Sequence, residues 1–520
     1  MRADQTQSRG ASKAAALRLA VLMLSAVSGC DIWRRPPDVR EAWQPERLAP
    51  PAVNRSWHPP QPPSAYRAPA DAWQHEAPSL PSAQETYDLP GLVDLALRDN
   101  PDTRSAWEAA RSAAARYGRS LAPYYPTLRT QGEAVPASRF FEPTASGSLT
   151  IHRESYEPRV LLTYTLLDFG RRAQSAELAR QRLLAANFAF NRRLQDVVFG
   201  VERAYYLLDA AQGLERAAER NLELARTVLR AAEQRVDVGL ATRPELLLAR
   251  QVETRAVYEL ENAHVAVKNA EAELALTLGV PANRPVAIES LEKQSLPPEL
   301  DQAVDGLIDT ALMQRPDLAA RVAELRAADA AVAKAKADFF PTIDFRGHYG
   351  ESIWDYRATA SGPFRNSEPT YATVFAFNWD IFKGFDRLNA VREAEADSRA
   401  ARAELAATEL EAIADVWRAY YDYRAAVRKL QFAEALLAAS QEAYDSTLKT
   451  YEVGLSDIVE LLTAERDLAA ARYTLIQSRA ELLTTAARVA YAAGAMPVGS
   501  LTPLSEPVPV PVPLPVPEEN

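Results

Sequence analysis

The chain is 520 residues long, 48% hydrophobic and 25% charged, with a formal net charge of -10. That is ample material for a large ordered body, and it lacks the basic balance a nucleic-acid partner requires, so no nucleic acid is expected to bind. The single cysteine, Cys30, excludes an intrachain disulfide, and the five histidines (His58, His75, His152, His264, His348) are scattered with none at a metal-ligand spacing. No Gly-rich phosphate loop and no G-x-S-x-G turn occurs. No metal, cofactor or catalytic residue is expected, and the chain does not read as an enzyme.

At the N-terminus Arg2, Arg9, Lys13 and Arg18 precede an apolar stretch from Leu19 to Ser28, followed by Gly29 and Cys30. A basic region, a short apolar region and small residues before the cut make a secretory signal over residues 1–29. The apolar part is too short to span a bilayer, which needs roughly twenty residues. The run Val27-Ser28-Gly29-Cys30 resembles a bacterial lipobox. The resemblance implies that the Cys30 thiol carries lipid, palmitate included, and becomes the mature N-terminus; the alternative is an ordinary signal with an incidental cysteine. Asp31 follows, a residue that in some enteric lipoproteins retains the protein in the inner membrane.

Residues 30–88 are Pro-rich (Pro36-Pro37, Pro50-Pro51, Pro59-Pro60, Pro62-Pro63) and read as an extended tether. The last stretch, residues 497–520, holds Pro507-Val-Pro-Val-Pro-Val-Pro-Leu-Pro-Val-Pro517 and reads as a polyproline II tail without a core of its own.

Between them lies a duplication. Ala96-Leu97 and Pro101-Asp102 recur 215 positions on as Ala311-Leu312 and Pro316-Asp317. The same offset carries Pro126-Thr127 to Pro341-Thr342, Ala204-Tyr205-Tyr206 to Ala419-Tyr420-Tyr421, Val238-Gly239-Leu240 to Val453-Gly454-Leu455, and Gly279 to Gly494. One offset held from end to end means two copies of one unit, residues 89–300 and 301–496.

Each copy begins with an Ala-rich helix, 102–122 or 317–338, stopped by Pro123-Tyr-Tyr-Pro126 or Phe339-Phe340-Pro341. Alternating segments follow. Ile343, Phe345 and Tyr349 share one face and Asp344, Arg346 and His348 the other; Tyr371, Phe375, Phe377 and Trp379 form a second such strand. Val160, Leu162, Tyr164 and Leu166 form a third, and Leu128 through Val135 a weaker fourth. Four short strands cannot close a membrane barrel in one chain, because the smallest known need about eight. An open edge in lipid leaves backbone groups unsatisfied. The strands therefore either form a small sheet in water or pool between subunits.

From Arg171 to Val236 no proline interrupts the chain, and a stripe of Val201, Ala204, Leu208, Ala211, Ala218, Leu222, Ala225, Leu229, Ala232 and Val236 steps by threes and fours, with Glu215 as its polar intruder. That is the 3.5-residue repeat of a coiled coil. The second copy carries Val416, Ala419, Tyr423, Ala426, Leu430, Ala433, Leu437, Ser440 and Tyr444 in the same phase. Return helices start near Thr242 and Ser456, with Ala249, Ala256, Ala263 and Ala270 at heptad spacing.

Two hairpins, the duplication, paired strands and the matching turns Val238-Gly-Leu-Ala-Thr and Val453-Gly-Leu-Ser-Asp together resemble the TolC family of outer-membrane factors over about residues 89–496. The resemblance implies a mixed α and β fold, mostly α. A homotrimer would close a twelve-stranded β-barrel, four strands per chain, continued by a long α-helical coiled-coil barrel. It implies the outer-membrane channel of a tripartite efflux system, lipid-anchored and extending into the periplasm. Its partners would be outer-membrane lipid, a periplasmic adaptor (membrane-fusion) protein and an inner-membrane pump of the resistance-nodulation-division class. The turns Val238, Gly239, Leu240, Val453, Gly454 and Leu455 become periplasmic tips for adaptor docking. Glu460, Glu245 and Tyr451 match gate positions, while Ser456 and Thr463 stand where the family has an arginine and a second acid. Two alternatives remain: a duct for protein secretion, and a lipid-anchored coiled-coil scaffold without a pore.

Overall fold

The computed structural model describes residues 86–144, 147–284, 286–291, 303–358 and 361–496, all within a unit spanning Pro78–Asn520. The signal sequence, Cys30, Asp31, the tether up to residue 85 and the tail after Met496 lie outside the described residues.

In chain order the elements are β1 (Thr86–Tyr87), α1 (Leu89–Asp99), α2 (Pro101–Ser120), β2 (Thr127–Thr144), β3 (Gly147–Leu167), α3 (Arg171–Asp237), α4 (Arg243–Leu278), β4 (Ala287–Ile288), α5 (Val304–Gln314), α6 (Pro316–Ala337), β5 (Thr342–Ala358), β6 (Ser361–Asn378), α7 (Asp386–Glu452) and α8 (Ile458–Ala492). The starts of α1, α2, β2, α3 and α4 recur 215 positions later as those of α5, α6, β5, α7 and α8. α3 and α7 are unbroken helices of 67 residues each, about 100 Å at roughly 1.5 Å per residue.

Two features depart from the sequence expectation. Short helices α1 and α5 precede each Ala-rich helix where only repeat markers stood. α1 is masked in sequence by Pro90-Gly91, but that proline lies in the first turn, where its missing N–H is no loss, and the Asp88 carboxylate accepts from the Gly91 N–H at 3.1 Å. The strands are also long rather than short, at 18, 21, 17 and 18 residues.

The four long strands form one antiparallel sheet in the order β2-β3-β5-β6. The register puts unlike chemistry on its two faces. Leu128 lies opposite Leu162, Val160 opposite Tyr349, and Phe345 between Tyr164 and Phe375. One residue along, Arg129 lies opposite Leu161, Thr163 opposite Arg346, and Thr165 opposite Asp344. At the helix-to-strand junctions Tyr124, Tyr125, Phe169, Phe339, Phe340 and Trp379 are all exposed, and Phe169 stacks on Phe340 with centroids 5.3 Å apart. Such a cluster at the base of an apolar face is what an aromatic girdle at a membrane interface would require.

The helical seam follows the stripe. Val201, Ala204, Leu208, Ala211, Ala218, Leu222, Ala225 and Ala232 are buried, as are Val416, Ala419, Tyr423, Ala426, Leu430, Ala433 and Tyr444. Leu229, Val236, Leu437 and Ser440 are partly exposed. The intruder Glu215 is partnered, with its carboxylate 2.7 Å from His264 Nδ1 on α4.

The repeat markers Gly279 and Gly494 have a physical reason. Both have positive φ, 77° and 72°, and both close a return helix against the break between the two short helices of their own copy. A Cβ on Gly279 would meet Pro101 Cδ at 2.7 Å, and one on Gly494 would meet the Arg315 backbone at 3.0 Å. The two breaks solve one problem with different chemistry. Asn100 Nδ2 donates to the Thr277 carbonyl at 2.7 Å; at the equivalent position Arg315 Nη1 donates to the Ala492 carbonyl at 3.4 Å while its other end pairs with Asp317 at 2.7 Å.

Candidate functional site

The hairpin tips are built by two near-identical turns. After α3, Gly239 (φ 76°) lets the chain reverse, and the Leu240 N–H returns to the Arg235 carbonyl at 2.7 Å. After α7, Gly454 (φ 79°) does the same, with the Leu455 N–H on the Thr450 carbonyl at 2.8 Å. This closure satisfies helix-end carbonyls and needs a residue free to adopt positive φ. It leaves Val238, Leu240, Val453 and Leu455 at 70–82% exposure, an apolar tip on each hairpin that none of the described residues covers.

Just behind the tips the two copies are tied together. Arg235, in the last turn of α3, donates from Nη1 to the Tyr451 carbonyl at 3.0 Å and lays its guanidinium over the Tyr451 ring at 4.6 Å from the centroid. Tyr451 is buried. Burial pushes its phenol above the ordinary value, Arg235 opposes that shift, and Glu245 adds to it. Glu245 itself accepts from Thr242 Oγ1 at 2.9 Å in the first turn of α4.

Of the three gate residues expected from sequence, Tyr451 is held by Arg235, a residue that no sequence pattern marks, and Glu245 is near enough to Tyr451 to raise its phenol. Glu460 stands apart. Its backbone N–H donates to the Asp457 cap at 2.8 Å, and its exposed side chain lines an open groove with Asp457, Asp467, Ala439, Ser440 and Ala443. Ser456 turns back onto its own hairpin, accepting from Thr450 Oγ1 at 3.1 Å. Thr463 donates to the Val459 carbonyl. Neither replaces the charged contact at its position.

The polar face of the sheet carries a second cluster. Arg159 pairs with Glu157 at 2.6 Å and lies 3.9 Å from Glu133, while Ser352 Oγ donates to Glu157 at 3.3 Å. Nearer the helices, Asp344 accepts from Thr165 Oγ1 at 2.9 Å, Asn378 Nδ2 at 3.0 Å and Arg346 Nη2 at 3.4 Å. Such a face presents charge and hydrogen-bonding capacity to water. Among the described residues no helix is long and apolar enough to cross a membrane, and no group of His, Cys, Asp and Glu side chains is placed to hold a metal ion.

The sequence pattern described as Outer membrane efflux protein matches residues 92–280 and again residues 307–495. The chain belongs to the outer membrane efflux protein family. The two matched segments start and end 215 positions apart, so each copy of the duplication is one family unit. Protein CyaE of Bordetella pertussis is 31% identical over 432 residues, covering 82% of this chain and 88% of CyaE. The toluene efflux pump outer membrane protein TtgI of Pseudomonas putida is 26% identical over 434 residues, covering 80% and 88%. The crystal structure of the Campylobacter jejuni CmeC outer membrane channel shares the fold, with a TM-score of 0.68 at 18% identity over 78% of this chain and 85% of that one. This outer membrane efflux protein is accordingly a TolC-like channel component of the outer membrane, a transport protein and not an enzyme.

Proposed function

We propose that three copies of this chain close a twelve-stranded barrel in the outer membrane and continue it as a helical tunnel in the periplasm. The tunnel is a passive exit duct for solutes expelled by an inner-membrane pump of the resistance-nodulation-division class through a periplasmic adaptor. The observation that carries this reading is the sheet. Among the described residues it is a four-stranded sheet whose outer strands, β2 and β6, have unpaired edges, with one apolar face ringed by aromatics at its base. Lipid does not tolerate free edges, and four strands from each of three subunits remove them. The apolar band from Thr342 to about Glu351 is roughly ten residues, the length a tilted strand needs to cross the hydrocarbon; the remaining length of each hairpin projects beyond it. The polar face then lines the conduit. Lipid on Cys30 anchors each subunit to the outer membrane, and residues 30–88 lead from that anchor to the first copy.

The exposed tips Val238-Gly239-Leu240 and Val453-Gly454-Leu455 are the adaptor's docking points. Behind them Tyr451, held by Arg235, forms the gate together with Glu245 and the exposed side chain of Glu460. Three Glu460 side chains around a threefold axis concentrate negative charge in a narrow mouth, which favours cations. Replacing Glu460 and Glu245 together with alanine is expected to raise single-channel conductance in planar bilayers and to lower its cation preference. An unchanged current and selectivity would remove both residues from the gate.

A further inference from the structure

Glu465 is a carboxyl group inside the coiled coil. It is 5% exposed and sits on α8 between Leu461 and Leu468, the stripe that packs with Val228 and Ala232 of α3, Ala249 of α4 and Tyr444 of α7. Its Oε2 is buried without a hydrogen-bond partner. A lone carboxylate in such a seam is expensive, whereas the neutral acid is tolerated. Nothing in the coiled coil itself requires an acid there, and the equivalent position of the first copy is Arg250, on the helix surface.

The surrounding charges are engaged elsewhere. On α3 and α4, Arg226 lies 3.7 Å from Glu253, Glu233 lies 3.6 Å from Arg250, and Arg235 is held on Tyr451. On α8 itself Arg472 donates to Asn221 and Gln441, each at 3.2 Å. On α7 Asp445 accepts from Gln441, and the titratable group facing Glu465 is Tyr444. Its phenol is pushed up to about 12, first by burial and then by Glu465. Burial alone raises the Glu465 carboxyl from 4.5 to about 7.

We propose that Glu465 is a proton-dependent latch on the second hairpin: protonated, it holds α8 against α3 and α7 just behind the gate, and ionised, it loosens that packing. The inference rests on the gated-duct reading for its consequence, though not for its chemistry. The sign follows from linkage. The packed state holds the proton more tightly than a wetted, loosened state, so packing is fully retained below about 4.5, weakens as pH rises, and reaches its loosened limit above about 7. Across that window each subunit's packed-to-loosened ratio falls by at most about tenfold per pH unit.

The test compares the full-length wild type with E465Q and E465L in lipid between pH 5 and pH 8. Hydrogen exchange of residues 458–470, corrected for intrinsic rates, reads the latch independently of conduction. Protection should fall with pH in the wild type and stay flat in both variants, whereas E202Q, which removes a raised carboxyl on α3 outside this seam, should keep the wild-type slope. Equal slopes in wild type, E465Q and E465L overturn the latch. In planar bilayers the open fraction should rise from pH 5 to pH 7 in the wild type and E202Q and stay flat in E465Q and E465L. A flat open fraction beside a pH-dependent exchange slope leaves the latch standing and overturns its link to the duct.

Discussion

Replacing Arg235 with alanine is expected to loosen the hairpin tips more than any other single change there. The substitution removes a charge-assisted hydrogen bond to the Tyr451 carbonyl and a cation–π contact to its ring. Such a bond is worth about 1.5–3 kcal/mol and such a contact about 0.5–2 kcal/mol. Together they give about 2–5 kcal/mol per subunit, and three subunits lose it at once. The tie links the C-terminal end of α3 to that of α7, the two long helices that must part if the hairpins splay. Single-channel recording should show higher conductance and a longer open time for R235A. R235K should fall between, because an ammonium lacks the planar fork that reaches the carbonyl while covering the ring. A wild-type current from R235A would show that the tie is structural only.

The second large effect comes from two neighbouring leucines. Leu162 lies in the middle of the apolar band, opposite Leu128 and Gly347, while Leu161 lies on the polar face, opposite Arg129 and His348. If the apolar face meets lipid, an arginine at 162 costs about 2–4 kcal/mol per subunit near the bilayer midplane. An arginine at 161 points into water and costs little. L162R should therefore be depleted from the outer-membrane fraction and lose its trimer band on mildly denaturing gels, and L161R should assemble as the wild type does. Equal assembly of the two would mean that the sheet does not lie in lipid.

The parts of this protein readable in its sequence were those that repeat or keep a period. The offset of 215 placed both hairpins, and the three-four stripe marked α3 to within a residue of its end, because a coiled-coil seam imposes its period on the chain. The strand faces were legible where alternation was clean, as from Ile343 to Tyr349. They were not legible further out, where Glu154, Glu351 and Asp355 put charge on the otherwise apolar face and hide the two-residue period; there backbone pairing across the hairpin keeps the strand going.

The proposed gate divides in the same way. Glu245, Tyr451 and Glu460 came from resemblance, yet the residue that holds Tyr451 is Arg235, whose counterpart in the second copy is Thr450. Glu465 was hidden for the same reason, since its counterpart is Arg250. Comparing the copies finds what they share, and both of these residues lie where the copies differ. A cross-copy tie also depends on which helix ends meet in space, which no single-helix pattern records.

The most direct test of the account is an electron-microscopic reconstruction of the purified full-length protein in lipid nanodiscs. The account predicts threefold symmetry, with β2 of each subunit paired to β6 of its neighbour in a closed barrel, and α3 and α7 of all three subunits continuing below it. A monomer in the disc, or a sheet standing clear of the lipid, would contradict it.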